Sequence, residues 1–137
     1  MRAFIDTSAL LKKYIRENGS EEFEDILLSV DDIIVSPTYA LEARAAIARR
    51  VRLKDIEVDQ GIQIRKEINK DIIHFEQVVY NDNLNNKAID LIDNHVISTL
   101  DSIQLASACL SRADIFVTAD KDLYIYAKQE LKNVRYI

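Results

Sequence analysis

The sequence predicts an α/β fold, namely a three-layer α/β/α sandwich around a central parallel sheet of about five strands. Short runs of β-branched and aromatic residues alternate along the chain with longer stretches of helical periodicity. Right-handed crossovers through one or two helices return each strand in the same direction, so the sheet is expected to be parallel and covered on both faces. The 137 residues, 48% of them hydrophobic, are expected to form a single domain over residues 1–137.

Five segments have the composition of buried strands. Each is about four to six residues long and contains the β-branched and aromatic residues that pack well in a sheet. The predicted strands are 2–5, 32–36, 71–76, 114–118 and 134–137.

Helical periodicity occupies the segments between the predicted strands. Ser20 is predicted to cap a helix whose first turn carries acids, and Ser36 is predicted to cap a helix with Pro37 in its first turn. Gly61 is expected to weaken a helix, and Asn133 is predicted to end the last helix in a left-handed conformation. The predicted helices are 8–16, 21–30, 37–53, 54–70, 82–96, 100–112 and 120–131.

Composition excludes several classes of protein. With 23 acidic and 18 basic residues the net charge is -5, so a nucleic-acid partner would need a local basic patch or a bound cation. The single Cys109 excludes an internal disulfide and is consistent with a reducing compartment. No apolar stretch approaches the roughly 20 residues of a membrane span, and no signal-like segment is present, so we expect a cytoplasmic protein without membrane contact. Gly19 and Gly61 are the only glycines, which excludes a glycine-rich phosphate loop.

Three aspartates lie where ligands gather in open α/β sheets, beyond the carboxyl ends of strands. Asp6 follows the first predicted strand, Asp120 follows the fourth, and Asp101 opens the helix that precedes the fourth strand. Aspartate is also among the best N-cap residues, and each of the three begins a predicted helix. Helix capping alone is therefore the alternative interpretation of each.

Glu42 adds a fourth acid, beside the apolar stripe of its predicted helix and without a basic residue three or four positions later. The alternative is an ordinary exposed glutamate. Four carboxylates in one cleft would repel one another unless a cation neutralised them. Ligands that are all oxygen favour Mg²⁺ or Mn²⁺, and such an ion suits the hydrolysis of a phosphodiester bond.

Other polar residues are candidates for supporting roles. Ser8 and Thr118 can hydrogen-bond the carboxylates or a metal-bound water, although bonds within their own turns explain them equally well. Lys12, Arg44 and Arg49 can contact RNA phosphates, whereas the alternative is a solvated basic helix face.

Four motifs occur in the order and approximate spacing of the PIN-domain ribonucleases: "IDTS", "YALEAR", "LDSIQLA" and "VTAD". The chain therefore resembles this family, and most of all the VapC-type toxins of toxin–antitoxin pairs. The resemblance implies a Mg²⁺- or Mn²⁺-dependent endoribonuclease that forms a homodimer and is inhibited by a cognate antitoxin. Motif by motif it assigns the catalytic acids to Asp6, Glu42, Asp101 and Asp120, with the three aspartates nearest the metal and Glu42 acting through water or on a second ion.

The chain differs from the family pattern or leaves a role unassigned at two positions, Asp122 and Gln104. Asp122 is a second acid in "TADKD" and could compete with Asp120 for the metal, although an acid in the first turn of a helix also favours the helix dipole. Many relatives carry histidine where Gln104 stands.

The predicted fold is also compatible with two other functions. A receiver-like signalling domain shares a five-stranded parallel fold but wants an acidic pair directly after the first strand, where Thr7 and Ser8 stand. A non-catalytic RNA-binding or partner-binding module is the second, and the complete set of acids argues against it.

Overall fold

The computed structural model describes residues 1–137 and contains seven α-helices and five β-strands. None of the helices has the length and hydrophobicity that crossing a membrane requires. The strands are β1 (Arg2–Ile5), β2 (Asp32–Val35), β3 (Glu76–Gln77), β4 (Ile115–Thr118) and β5 (Val134–Tyr136). The helices are α1 (Thr7–Leu10), α2 (Ser20–Leu27), α3 (Tyr39–Arg52), α4 (Val58–Asp71), α5 (Asp82–Asn94), α6 (Thr99–Ser111) and α7 (Lys121–Glu130).

The five strands form one parallel sheet in the order β3-β2-β1-β4-β5, which confirms the predicted fold class. The chain builds outward from β1 to β2 and β3, and then crosses to the other side for β4 and β5. The carboxyl ends of β1 and β4 are therefore the point at which the strand order reverses, the usual ligand position in open α/β sheets. The receiver-like alternative is wrong, because that fold has the strand order 2-1-3-4-5.

The two faces of the sheet carry separate hydrophobic layers because side chains alternate along each strand. Ala3, Ile5, Val35 and Val117 pack into a cluster of 15 buried residues formed with α1 to α4. The intervening residues Phe4, Ile34 and Phe116 pack into a second cluster of 11 buried residues with α5, α6 and α7. This arrangement is the predicted sandwich with helices on both sides.

The predicted strand at 71–76 is wrong over most of its length. Asp71 ends α4, residues 72–74 form a 3₁₀ turn, and only Glu76 and Gln77 pair with β2. Ile72 and Phe75 pack against the layer formed with α1 to α4, whereas the side chain of Ile73 is 77% exposed. The apolar residues that suggested a strand therefore serve the packing of a helix end beside the edge of the sheet.

Two predicted helix starts differ from the structure. The helix α2 includes Ser20, and the residue before it, Gly19, has a left-handed conformation with φ 87°. The hydroxyl of Ser20 accepts the N–H of Glu17 instead of capping α2. Ser36 likewise accepts the N–H of Thr38, and α3 begins only at Tyr39.

Two further helix predictions need correction. The predicted helix 8–16 is the short α1 followed by a 3₁₀ turn, Leu11–Lys13. The last helix, α7, ends at Glu130 with Leu131 in an extended conformation, so Asn133 does not form a left-handed cap. Gly61, expected to weaken its helix, is buried where α4 approaches α3, and a Cβ atom there would lie 2.9 Å from Cγ2 of Val51. The glycine permits this close packing.

Candidate active site

The site is centred on Asp6, which leaves the end of β1 beside the end of β4. Ile5 is paired with Val117 across the two strands, and the N–H of Asp6 donates to the carbonyl oxygen of Val117 at 3.0 Å. The Asp6 carboxylate accepts the backbone N–H of Ser8 at 2.7 Å and the Ser8 hydroxyl at 2.8 Å. It also accepts the hydroxyl of Thr118 from the neighbouring strand. Asp6 therefore does cap α1, and that capping holds its carboxylate at the sheet edge.

Burial sets the electrostatics of Asp6, whose side chain is only 4% exposed. Desolvation raises the pKa of this carboxyl from 3.8 to about 6, because its hydrogen bonds from Thr118 and Ser8 oppose the burial effect only in part. The nearby charge of Asp120 contributes a smaller part of this rise. No cation pairs with Asp6, so its ionised form is poorly compensated.

Asp120 approaches the same edge from the N-terminus of α7. Its carboxylate caps that helix by accepting the N–H of Leu123 at 2.9 Å. Its own N–H donates to the Thr118 hydroxyl at 3.0 Å, so one hydroxyl touches Asp6 and the backbone of Asp120. The Ser8 hydroxyl accepts the N–H of Ala119 at 3.1 Å. The two hydroxyls predicted as supports thus join the β1 and β4 ends.

Asp101 lies in the first turn of α6 and does not open that helix as predicted. Ser98 is the N-cap, and its hydroxyl accepts the N–H of Asp101 at 3.2 Å. The Asp101 carboxylate is consequently free of capping and half-buried. Burial raises its pKa, and the nearby charges of Asp120, Glu42 and Asp122 also raise it, whereas a hydrogen bond from the Ser98 side chain opposes the rise.

Glu42 reaches the site from the first turn of α3. One oxygen of its carboxylate accepts the hydroxyl of Thr38, and the other accepts the side-chain amide of Gln104 at 3.0 Å. Sequence reasoning noted Gln104 only as a departure from related chains and gave it no role. The available signal was its place three residues after Asp101, on the same face of α6.

One cleft of about 780 Å³ brings these groups together. The four acids form one part of its lining, and basic side chains form another. Of the residues predicted as RNA contacts, Lys12 and Arg49 line the cleft, whereas Arg44 lies in a separate groove between α3 and α4. Asp122 is exposed on α7 and does not line the cleft. The charged and polar lining residues include Asp6, Ser8, Lys12, Glu17, Glu42, Arg49, Arg50, Asp101 and Asp120.

Glu17 organises two of the basic side chains, although no sequence signal singled it out. One of its carboxylate oxygens lies 3.3 Å from the ammonium of Lys12, and the other lies 2.5 Å from the guanidinium of Arg50. Burial would raise the pKa of Glu17, but the hydrogen bonds and charges of these two cations hold it below its usual value. Lys12 is only 8% exposed, and Arg49 makes no ion pair, which leaves its guanidinium available to a ligand.

The acid set fits a hard divalent cation in its chemistry. All the donors are carboxylate or hydroxyl oxygens, the ligands that such a cation prefers. Burial and the neighbouring carboxylates raise the pKa of Asp6 and of Asp101, and a bound cation would favour the ionised form of both groups. As the side chains stand, no three acidic groups are close enough to ligate one ion. Binding would therefore require the carboxylates to draw together around it.

Comparisons with known proteins agree with this architecture. The family model described as PIN domain matches residues 3–129. No curated protein matches the chain.

Solved structures with the same fold were found despite low sequence identity. FitAcB from Neisseria gonorrhoeae has a TM-score of 0.70 at 12% identity and covers 98% of this chain and 96% of that one. VapBC2 from Rickettsia felis, bound to a DNA fragment from its promoter, has a TM-score of 0.67 at 11% identity, with 98% and 97% covered. Mycobacterium tuberculosis VapC20, described as a toxin that cleaves the sarcin-ricin loop, has a TM-score of 0.65 at 15% identity, with 88% and 92% covered.

Proposed function

The chain belongs to the PIN-domain family, and on that premise we propose that it is a metal-dependent endoribonuclease that hydrolyses phosphodiester bonds of RNA. One observation carries the proposal. Carboxylates from four separate parts of the chain lie in one cleft at the carboxyl edge of the sheet, with basic side chains in the same cleft. We further propose that the protein is the cytoplasmic toxin of a toxin–antitoxin pair.

Asp6, Glu42, Asp101 and Asp120 would hold the ion, for which Mg²⁺ or Mn²⁺ suits the oxygen donors. Such an ion, when bound, lowers the pKa of a water and offsets charge on a phosphoryl oxygen. Asp6 contributes a carboxylate whose direction is set by Ser8 and Thr118 before any ligand arrives. Asp101 contributes a carboxylate that neither caps its helix nor joins an ion pair, which leaves it able to turn towards a cation.

The basic lining explains how a protein of net charge -5 could accept a polyanion. Arg49 is the cation best placed to contact phosphate, because it lines the cleft and makes no ion pair. Lys12 and Arg50 share the single carboxylate of Glu17, so the three side chains together carry one net positive charge. Arg44 remains a predicted RNA contact, and it would be reached only by RNA that extends beyond this cleft to the groove between α3 and α4.

The direct test measures cleavage of structured and single-stranded RNA with Mg²⁺, with Mn²⁺ and with EDTA. We expect cleavage with either metal, none with EDTA, and a rate about 10²-fold or more lower for Asp101→Asn, since loss of one charge-stabilising group costs on that scale. Asp90→Asn, an exposed change on α5, is the matched control. Asp122→Asn is expected to retain activity, because its side chain lies outside the cleft lining.

Cleavage that survives EDTA would contradict the metal-dependent mechanism. Asp101→Asn activity equal to that of Asp90→Asn would contradict the assignment of the site. An inactive wild type that still binds RNA would favour the non-catalytic alternative.

A cognate antitoxin and a second copy of the chain are the proposed protein partners. The support is that similar structures include a toxin–antitoxin complex from Klebsiella pneumoniae, with a TM-score of 0.66 at 17% identity and 88% of each chain covered. Light scattering on the purified chain is expected to give about twice the 15.7 kDa mass of one copy. A mass of one copy across the micromolar concentration range would contradict the homodimer.

A further inference from the structure

We infer that Gln104 is a positioning residue of the proposed metal site, whose buried amide orients the carboxylate of Glu42 towards the cleft. The inference rests on the proposed function, because it assigns a role within that same site. It concerns a side chain that lies beneath the acids and does not line the cleft.

The contacts of Gln104 connect three parts of the fold. Its side chain is 2% exposed on α6, and its Nε2 atom donates to the hydroxyl oxygen of Thr7 and to a carboxylate oxygen of Glu42, each at 3.0 Å. An amide nitrogen carries two hydrogens, so both are used. Gln104 thereby ties α3 to the junction of β1 and α1, directly beside Asp6.

Chemistry determines which way the amide faces. With its two ends exchanged, the carbonyl oxygen of Gln104 would face the carboxylate of Glu42, and two acceptors without a hydrogen between them repel each other. The nitrogen must therefore face Glu42 whenever that group is ionised. This orientation leaves the Oε1 atom of Gln104 buried with no hydrogen-bond donor.

The unpaired oxygen is unfavourable for stability at this position. A buried carbonyl without a donor costs about 1–3 kcal/mol, a cost that a leucine of similar size would avoid. What the amide provides is directional contact with Glu42, whose other oxygen is held by the Thr38 hydroxyl. Both oxygens of Glu42 are thus oriented by neutral donors, with no cation attached.

One face of the helix α6 supplies two side chains to the proposed site. Asp101 and Gln104 are three residues apart, a spacing that places two side chains on the same side of a helix. The first supplies a carboxylate to the cleft, and the second orients the carboxylate supplied by α3. Loss of the amide should therefore loosen Glu42 without removing any proposed ligand.

The test compares Gln104→Leu with Ser107→Ala, a change one turn further along α6 at a buried hydroxyl that bonds only to a backbone carbonyl of its own helix. For Gln104→Leu we expect kcat to fall about 10- to 100-fold and Mn²⁺ affinity, measured by calorimetry, to fall about tenfold or more, since partners that orient metal ligands act on this scale. KM for RNA should stay within about threefold of wild type, because the RNA-facing side chains are unchanged. Unfolding in urea should show equal or greater stability.

Gln104→His is expected to recover much of the loss, because an imidazole N–H can donate to Glu42 from a similar reach. Wild-type kcat and Mn²⁺ affinity in Gln104→Leu would overturn the inference. A drop in kcat accompanied by an equal loss of stability would also overturn it, since that result denotes a structural role. If the wild type binds Mn²⁺ but cleaves no RNA, the proposed function fails, and the Mn²⁺ titration still decides whether Gln104 positions Glu42.

Discussion

Asp6→Asn is expected to abolish RNA cleavage while it stabilises the metal-free protein. The substitution keeps the shape of the side chain and removes its ability to ionise. Asp6 is 4% exposed and its carboxyl is surrounded by neutral donors, so no cation of the fold offsets its charge. The two effects are therefore expected to have opposite signs.

The expected loss of activity is about 10³-fold or more. A bound ion contributes several kcal/mol of transition-state stabilisation, and each 1.4 kcal/mol corresponds to a factor of ten in rate. Single-turnover cleavage with saturating enzyme and Mn²⁺ measures this loss without interference from product release. Cleavage by Asp6→Asn within about tenfold of wild type would remove Asp6 from the proposed site.

The expected gain in stability follows from the pKa of Asp6, which burial raises from 3.8 to about 6. A difference of about two pKa units corresponds to about 3 kcal/mol of unfavourable ionisation in the folded state, and the asparagine does not bear this cost. Urea unfolding in EDTA at pH 7.5 is expected to show an increase of up to about 3 kcal/mol for Asp6→Asn. Asp25→Asn, an exposed change on α2, is the matched control.

The second prediction concerns the pH dependence of that stability. Between about pH 3.8 and pH 6 the folded protein keeps the Asp6 proton while the unfolded chain has lost it. The folded state then binds more protons, so the contribution of Asp6 to stability falls as pH rises. It is fully present below the unfolded pKa and is lost above about pH 6.

The measurement is the difference in unfolding free energy between wild type and Asp6→Asn, in EDTA, at a series of pH values. The two proteins should be nearly equal in stability near pH 4 and differ by up to about 3 kcal/mol above pH 7. The subtraction matters because Glu17, Asp71 and Glu130, whose pKa values are lowered, lose stabilising interactions towards acid pH in both proteins. A difference that does not change with pH would contradict the raised pKa.

The sequence predicted the buried central strands well, because the apolar residues that identify such a strand are adjacent in the chain. Arg2–Ile5 and Ile115–Thr118 are short apolar runs that must be central in a sheet covered on both faces. The predicted strand at 71–76 failed because an apolar run at the end of a helix has the same composition as a strand. Periodicity does not distinguish the two when the run is this short.

The positions of the acids were also accessible, because a residue that follows a parallel strand must lie at the carboxyl edge of the sheet. Asp6 and Asp120 lie there by topology alone, and both cap helices as their residue type suggested. The alternative of capping was therefore correct for these two without excluding a place in the cleft. Asp101 differs, since Ser98 and not the aspartate caps α6.

By itself the sequence determined the parallel α/β architecture and the places of Asp6 and Asp120 at the carboxyl edge of the sheet, because strand composition, helical periodicity and strand-end position are properties of neighbouring residues. Only the tertiary structure decided the environment of those acids. Gln104 meets Glu42 across 62 positions and Arg50 meets Glu17 across 33, while the raised pKa of Asp6 comes mainly from its burial. Such contacts depend on how distant segments pack together, and no local pattern of residues records that packing.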